Sequence, residues 1–207
     1  WSNRVMKKLE GGLGKYVYTE WLFPIKDYYC SIHRNEVFFE IVIPLICAGF
    51  CSYSYSLVDK VFQALNGLSN LLPTAISILI GFTVMLITLL LTSSGDSMEK
   101  IKNTTTDKEL YGNAISLYQG LHIQFSHSLF SEITLLLVIF IYLFWKGLGM
   151  PSGIAVVFLG IEVYLTLNIL LSILRGITSL YFSFYGSEAG ENKHKDMSDH
   201  LGKNVKG

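Results

Sequence analysis

Charged side chains are scarce in this sequence: Asp, Glu, Lys and Arg make up 15% of its 207 residues, and their charges sum to zero. A neutral chain has no overall electrostatic preference for nucleic acid or for another highly charged partner. The chain also has no P-loop, GxSxG, HExxH or CxxC motif, and no basic patch with interleaved aromatic residues. We therefore expect no enzymatic activity, no catalytic residue, no cofactor and no direct contact with nucleic acid.

Cysteine is also rare, with three residues in the whole chain. Cys30 precedes the first long apolar segment, whereas Cys47 and Cys51 lie one helical turn apart within it. None of them is placed for a disulfide in an oxidising compartment. Because no other thiol or imidazole lies near Cys47 and Cys51 at ligand spacing, this pair predicts helix packing rather than a metal site.

Long apolar segments are what the sequence has in abundance, since hydrophobic residues make up 51% of it. Each of four segments is close to the roughly 20 apolar residues that a helix needs to cross a bilayer. A lone segment in lipid must bond its own backbone polar groups, so it must be helical. The sequence therefore predicts an all-α integral membrane protein with four spans. The segments are Val37–Leu57, Leu71–Thr92, Leu129–Trp145 and Ile154–Leu174.

Short connections follow the first and third segments, at about residues 58–70 and 146–153. Short connections join antiparallel neighbours, so we expect two antiparallel hairpins within a bundle of residues 37–186. Residues 1–36 form a cytoplasmic or interfacial segment before this bundle. The tail, residues 187–207, is polar and lacks large apolar side chains, which predicts disorder.

The Lys and Arg residues are distributed unevenly around the four segments. Lys60 and Lys146 are the only two in the short connections, whereas the other fourteen lie before the first segment, in the middle connection or after the fourth. Cytoplasmic regions of membrane proteins carry the excess of Lys and Arg. The distribution predicts that both termini and the middle connection, residues 93–128, are cytoplasmic.

The second half of the middle connection has apolar residues near helical spacing and contains no proline. This pattern predicts one helix from Thr106 or Asp107 to Trp145, whose first part projects about 30 Å into the cytoplasm as a stalk. The alternative is an interfacial helix over Asp107–Ser128 that lies flat on the membrane. On a stalk, the apolar row would dock a soluble partner protein. The row consists of Leu110, Leu117, Leu121 and Phe125.

Glu162 lies near the middle of the fourth segment, between Ile161 and Val163. A charged side chain there costs about 2.5–3.5 kcal/mol on insertion scales, so the carboxyl must face the bundle interior or an oligomer axis, or find a partner. One hypothesis is that it lines an ion path in an oligomer. The alternative is a neutral acid that is hydrogen-bonded to Thr166, or to a Tyr or Ser on another span.

Arg175 belongs to a polar stripe on the cytoplasmic half of the fourth segment. Glu40 and Glu132 lie near the cytoplasmic ends of two other segments, at a matching depth. We expect a structural ion pair between Arg175 and one of these acids, since pairing satisfies both charges. The stripe consists of Asn168, Ser172, Arg175 and Ser179.

The second segment carries small residues on one helix face. Small side chains let helix backbones approach closely, which favours helix association in lipid. The face predicts tight packing within the chain or between copies of it, and so favours a homo-oligomer. It consists of Ser77, Gly81, Thr88, Thr92 and Gly95.

His122 and His127 precede the third segment. Paired histidines bind haem in some membrane cytochromes, but a haem site needs facing histidines on another span, and only His33 is roughly available. The pattern favours interfacial histidines that bond to backbone or water.

The size, the four spans, the cytoplasmic ends and the polar tail resemble the KwaA family, the membrane subunits of the Kiwa antiphage defence system. The resemblance covers the Leu71–Ser94 and Leu129–Phe184 blocks and includes no short diagnostic motif, so no residue takes a role from it. It implies an oligomeric component of the bacterial inner membrane that responds to phage infection. It also implies a cytoplasmic partner subunit that acts on nucleic acid.

Two functions remain open from the sequence. The first is a membrane scaffold or sensor that docks this soluble partner. The second is an ion channel or membrane-depolarising effector, in which Glu162 lines an oligomeric path.

Overall fold

The computed structural model describes residues 23–31, 34–94, 96–110 and 112–203. Its elements in chain order are α1 (Phe23–Ser31), α2 (Arg34–Val37), a π-helical turn (Phe38–Val42), α3 (Ile43–Leu57), α4 (Val61–Thr92), α5 (Asp96–Asn103), β1 (Thr105–Leu110), β2 (Asn113–Ser116), α6 (Leu117–Gly147) and α7 (Ser152–Lys203). The predicted residues His33 and Gly95, and most of the 1–36 segment, lie outside the described residues.

Four helical stretches are long and apolar enough to cross a membrane, which confirms the all-α four-span prediction. They are span 1 (Phe38–Leu57), span 2 (Val61–Thr92), span 3 (Leu117–Gly147) and span 4 (Ser152–Phe182). Spans 1 and 2, and spans 3 and 4, are joined by short connections at the loop end of the bundle. The opposite end carries β1 and β2 and is called the hairpin end.

Span 4 is the centre of the bundle, because spans 1 and 3 both pack along it and span 2 also contacts it. Span 2 packs mainly on span 3, and span 1 has little contact with span 2. The chain therefore differs from two separate hairpins: span 1 has its extensive contact with span 4. Gly160 permits this contact, since a Cβ there would lie 3.0 Å from Oγ of Ser52 on span 1.

Three buried apolar clusters fill the interior from one end to the other. The loop-end core consists of Val61, Leu65, Tyr142, Met150, Ala155 and Leu159. The middle core consists of Leu72, Ile76, Leu135, Ile139, Ile169 and Ile173. The hairpin-end core consists of Leu86, Leu90, Met98, Ile101, Leu121 and Phe125.

The middle connection contains a β-hairpin where the sequence predicted a helix from Thr106 or Asp107. β1 and β2 pair antiparallel, with Glu109 opposite Ala114, and Gly112 takes a φ of 81° in the turn. The helix begins instead at Leu117. Ser116 Oγ accepts a hydrogen bond from the backbone N–H of Gln119, and Gln119 Oε1 accepts one from the N–H of Ser116. This capping box fixes the helix start, and the Ser116-x-x-Gln119 pattern is its sequence signal.

The apolar row predicted to dock a partner is largely internal. Leu121 and Phe125 are buried in the hairpin-end core, where α5 contributes Met98 and Ile101. The docking prediction is wrong for these two residues, because α5 packs back against the helix that was expected to stand free. The row's other members, Leu110 and Leu117, are half-buried.

The helix of span 4 continues past Arg175, as expected, and reaches Lys203. It therefore includes most of residues 187–207, for which disorder was predicted. No proline follows Pro151 in the sequence, so no helix-breaking residue stops it.

Gly176 gives the first testable prediction. A Cβ at this position would lie 2.6 Å from Cε1 of Phe125, a fully buried ring. Gly176→Ala should therefore destabilise the protein by about 1–3 kcal/mol through overpacking. In the double variant with Phe125→Leu, the loss of unfolding free energy should be smaller than the sum of the losses in the two single variants, since the clash is relieved. Thermal unfolding in detergent measures both effects.

The matched control for this change is Gly153→Ala on the same helix, where a Cβ meets nothing within 4 Å. Equal melting temperatures for Gly153→Ala and Gly176→Ala would contradict the predicted clash.

Candidate functional site

Three glutamates are completely buried inside the membrane-spanning part of the chain: Glu40 in span 1, Glu132 in span 3 and Glu162 in span 4. Acidic residues at such positions are expensive and mark functional sites by default. Their partners therefore define the candidate site.

Glu40 pairs with Arg175, the Nε and Oε1 atoms lying 2.9 Å apart. The sequence analysis named Glu40 and Glu132 as candidate partners of Arg175. In the structure the partner is Glu40, while Glu132 has other partners. Asn168 is in the same contact, since its Nδ2 donates to the backbone carbonyl of Glu40 at 2.8 Å. Arg175 and Asn168 therefore join span 4 to span 1.

Pro44 explains why the carbonyl of Glu40 needs a side chain as donor. An α-helix would bond this carbonyl to the N–H of residue 44, but proline has no N–H. The π-helical turn Phe38–Val42 lies at the same place, and π-turns are frequent at functional sites. The amide of Asn168 supplies the donor that Pro44 cannot.

Glu36 extends the pair into a chain of alternating charges. Its Oε2 lies 2.9 Å from Nη1 of Arg175, and its Oε1 lies 2.9 Å from Nζ of Lys108 on β1. We call Lys108, Glu36, Arg175 and Glu40 the ion-pair chain. Exposure falls along it from 25% at Lys108 to 17% at Arg175 and 0% at Glu40. Screening by water decreases in the same direction, so each contact strengthens toward the interior.

Helix α1 covers this chain with aromatic rings. Tyr28 stacks on His127, with centroids 3.8 Å apart, and the guanidinium of Arg175 lies 5.7 Å from the Tyr28 ring centre. Tyr29 meets His127 edge-on, and burial raises the pKa of the Tyr29 hydroxyl. His127 thus has the environment of a packing residue, while His122 stacks with Tyr118.

Glu132 and Glu162 are each hydrogen-bonded across helices through one carboxyl oxygen. Thr83 of span 2 donates to Glu132 at 2.8 Å, and Ser69 of span 2 donates to Glu162 at 3.0 Å. Thr166 donates to the backbone carbonyl of Glu162 instead of its carboxyl. Glu162 therefore points into the bundle, away from the outer surface where a second copy would pack. Its Oε2 has no hydrogen-bond partner among the described residues.

The middle core separates the polar interior into two levels. Its side chains lie between Ser69 and Thr83 on span 2, between Glu132 and Tyr142 on span 3, and between Glu162 and Arg175 on span 4. Glu162 and Arg175 are thirteen residues apart on one helix, or about 20 Å. Six aliphatic side chains thus lie between the two levels, but the buried polar side chains of Asn168 and Ser172 occupy the same stretch of span 4. Each level joins helices to one another.

The small-residue face of span 2 has no packing partner within the described chain. A Cβ at Gly81 would meet nothing within 4 Å, and Ser77, Thr88 and Thr92 are exposed. The hydroxyls of Ser77, Thr88 and Thr92 donate to carbonyls of their own helix.

Sequence reasoning missed Glu36 and Lys108, since both lie outside the apolar segments. A signal for Glu36 was present, because Glu36 and Glu40 are one helical turn apart and share a face. The guanidinium of Arg175 has enough donors for two acids on such a face. Lys108 had no signal, because its position depends on the β-hairpin.

Asn168 gives the second prediction. Asn168→Leu should destabilise the protein by about 1–3 kcal/mol, since it leaves the buried carbonyl of Glu40 without that donor. In a Pro44→Ala background, Asn168→Leu should destabilise the protein less, because residue 44 then has an N–H that can donate to the carbonyl. Thermal unfolding of the four proteins provides the double-mutant cycle.

Thr178→Val is the control for this cycle, since its hydroxyl bonds only to its own helix. Thr178→Val should change the stability by the same amount in the native background and in the Pro44→Ala background. An equal cost of Asn168→Leu in the two backgrounds would show that Pro44 does not create the need for Asn168.

Comparison with known proteins identifies no relative. The chain matches no protein-family model, no curated protein and no solved structure. The resemblance to the KwaA family therefore stays a prediction from the sequence, and the geometry of the bundle carries the functional argument.

Proposed function

We propose that this protein is a non-enzymatic membrane sensor and scaffold, which passes a change in its membrane bundle to a soluble partner at the hairpin end. The observation that carries the proposal is the shared position of Glu36. One carboxylate contacts Lys108 of the β-hairpin and Arg175 of span 4. A single residue therefore links the surface of the hairpin end to the membrane interior.

The ion-pair chain is suited to transmission because Arg175 lies between two acids. Glu36 and Glu40 lie one turn apart on one continuous helical stretch, so a displacement of span 1 along span 4 moves both acids relative to Arg175. The same displacement moves Glu36 relative to Lys108, which changes the ion pair that holds the hairpin. The position of the hairpin thus depends on how span 1 packs against span 4.

The hairpin end is the cytoplasmic side in this proposal, since the excess of Lys and Arg belongs there. Its exposed residues replace the buried row around Leu121 and Phe125 as the docking surface. Among them are Glu109, Asn113 and Ala114 of the hairpin. By the resemblance to the KwaA family, the partner is a cytoplasmic subunit that acts on nucleic acid.

The same resemblance supports a role in antiphage defence at the bacterial inner membrane. Cells that express the chain with its neighbouring genes should plate phage less efficiently than cells with an empty vector. Arg175→Met should abolish this protection while the protein remains in the membrane, because it removes the centre of the ion-pair chain. Lys60→Gln, in the connection at the loop end, is the control and should protect fully.

Plating that is unchanged by the native chain would refute the defence role. Full protection by Arg175→Met would refute the use of the ion-pair chain in it.

Transmission itself is tested on purified protein in lipid nanodiscs. Glu40→Gln keeps the side-chain shape but removes the charge that holds Arg175, and it touches no hairpin residue. We expect amide hydrogen exchange of Thr105–Ser116 to become at least about threefold faster, since the hairpin opens more readily when its ion pair is weakened. Mass spectrometry after proteolysis measures this exchange.

Glu132→Gln is the matched control, because Glu132 is an equally buried carboxyl in span 3 that bonds to Thr83 and Ser128. It should leave exchange of the hairpin unchanged. The sensor mechanism fails if Glu40→Gln also leaves it unchanged, or if both variants accelerate it equally.

The second candidate function is ion handling. It is favoured by the Oε2 atoms of Glu132 and Glu162, which are buried within the spans and have no hydrogen-bond partner in the described structure. The six aliphatic side chains of the middle core count against it, whereas the buried Asn168 and Ser172 place polar groups at the same depth of span 4. Planar-bilayer conductance that is lost in Glu162→Gln would favour this candidate over the sensor.

A further inference from the structure

Four side chains with oxygen atoms, from three different spans, lie together beside the loop-end core. The Tyr142 hydroxyl of span 3 donates to Oδ1 of Asn66 at 2.6 Å, and the Ser69 hydroxyl donates to Oε1 of Glu162 at 3.0 Å. Asn66 and Ser69 are three residues apart on span 2, so they share one face of that helix. Tyr142 is also within electrostatic reach of the Glu162 carboxyl. We call these four residues the loop-end oxygen cluster.

Glu162 has no counter-charge in this cluster. Its side chain is completely buried, and its Oε2 atom has no hydrogen-bond partner among the described residues. No Lys, Arg or His in the described part of the chain forms an ion pair with it. An ionised carboxylate without a partner is very costly inside a membrane-spanning bundle. The carboxyl therefore needs either a proton or a cation from solution.

The hydrogen-bonding capacity that remains in the cluster distinguishes a proton from a cation. A hydroxyl has one hydrogen, and Ser69 and Tyr142 have each used theirs in the two bonds above. Their oxygens therefore have only lone pairs left to offer beside Glu162. A proton on Oε2 would add a donor, but the described residues give that atom no acceptor. Oxygens that offer only lone pairs around a carboxylate match a bound cation.

The available ligand atoms limit which cation can bind. All of them are oxygens, which suit hard cations, and one carboxylate balances one positive charge. The described residues include no group of three His, Cys, Asp or Glu side chains that could hold a metal ion, so a divalent ion is not expected. The fully buried Leu65 and Leu159 pack with Tyr142 in the loop-end core, which favours Na⁺ over the larger K⁺.

We propose that the loop-end oxygen cluster binds Na⁺, with Oε2 of Glu162 as the charged ligand and the oxygens of Ser69 and Tyr142 as neutral ligands. Asn66 is half-buried, so the cluster reaches the surface there, on the loop-end side of the middle core. Binding therefore requires no path through the membrane. The bound ion would join spans 2, 3 and 4, and the inference depends neither on the ion-pair chain nor on an ion path.

Thermal unfolding of the purified chain in detergent tests the inference at about pH 8 and constant ionic strength. Replacing choline chloride by NaCl should raise the melting temperature by about 3 °C or more, and the rise should saturate with Na⁺ concentration. KCl should have a smaller effect. Binding of radioactive Na⁺ at equilibrium should saturate at a single ion per chain.

Two variants examine the ligands. Glu162→Gln keeps the side-chain volume and an acceptor for Ser69 but removes the charge, so it should melt at the same temperature in the two salts. Tyr142→Phe removes a neutral ligand, and the Na⁺ concentration at half-saturation should rise about threefold to tenfold. The second variant gives a reading even if Glu162→Gln does not fold.

Glu132→Gln is the matched control, because Glu132 is an equally buried carboxyl that also accepts a hydroxyl hydrogen bond from span 2, on the other side of the middle core. It should keep the Na⁺ effect. The inference is overturned if the native chain melts at the same temperature in NaCl and choline chloride, or if KCl stabilises it equally. Retention of the effect in Glu162→Gln, or its loss in Glu132→Gln, would also overturn it. Stabilisation by acid in choline chloride, with no effect of Na⁺ at any pH, would assign a proton instead.

Discussion

The pairing of Arg175 with Glu40 is the interaction on which the arrangement of the spans depends. Span 1 has little contact with span 2, so its place in the bundle is set by span 4. Three interactions lie on the contact between span 1 and span 4. They are the Arg175–Glu40 pair, the Asn168 bond to the Glu40 carbonyl and the close approach at Gly160. Without a partner, either charge would be too costly at this depth, so the two residues constrain each other's helices.

Hydrocarbon disfavours a polar group that lacks a hydrogen bond, and the spans meet this constraint in two ways. Inside the bundle, Glu132 and Glu162 follow it by accepting hydroxyl hydrogen bonds from span 2. On the outer face, Ser77 and Thr88 follow it by bonding to their own helix.

The four spans were predictable because length and apolar content alone decide whether a helix can cross a bilayer. The partner of Arg175 was narrowed to Glu40 or Glu132 by depth, but depth does not say which helix faces which. The apolar row with Leu121 and Phe125 was interpreted as a docking surface for a soluble partner, and the structure buries both residues. The row could not indicate that α5 of the same chain covers it, because a pattern identifies a buried face without identifying what lies on it.

The start of α6 shows a different kind of failure. Apolar spacing continued upstream of Ser116, and it concealed a capping box that a search for Ser-x-x-Gln would have found. The strands before it depend on pairing between β1 and β2, which no spacing within either strand encodes. Lys108 enters the ion-pair chain only through that pairing, so the most informative contact of the site was also the least predictable.

The use of charge at the span 1–span 4 contact also bears on function. An apolar pair of similar volume would hold two helices together at least as well, since a buried ion pair gains little over the cost of desolvation. Charge adds a property that apolar packing lacks, because one guanidinium can attract two carboxylates at once. Arg175 lies between Glu36, which contacts the hairpin, and Glu40, which belongs to a span. Both acids belong to one continuous helical stretch, so a movement of that stretch against span 4 reaches Lys108 of the hairpin through Glu36, and stability alone does not require this arrangement.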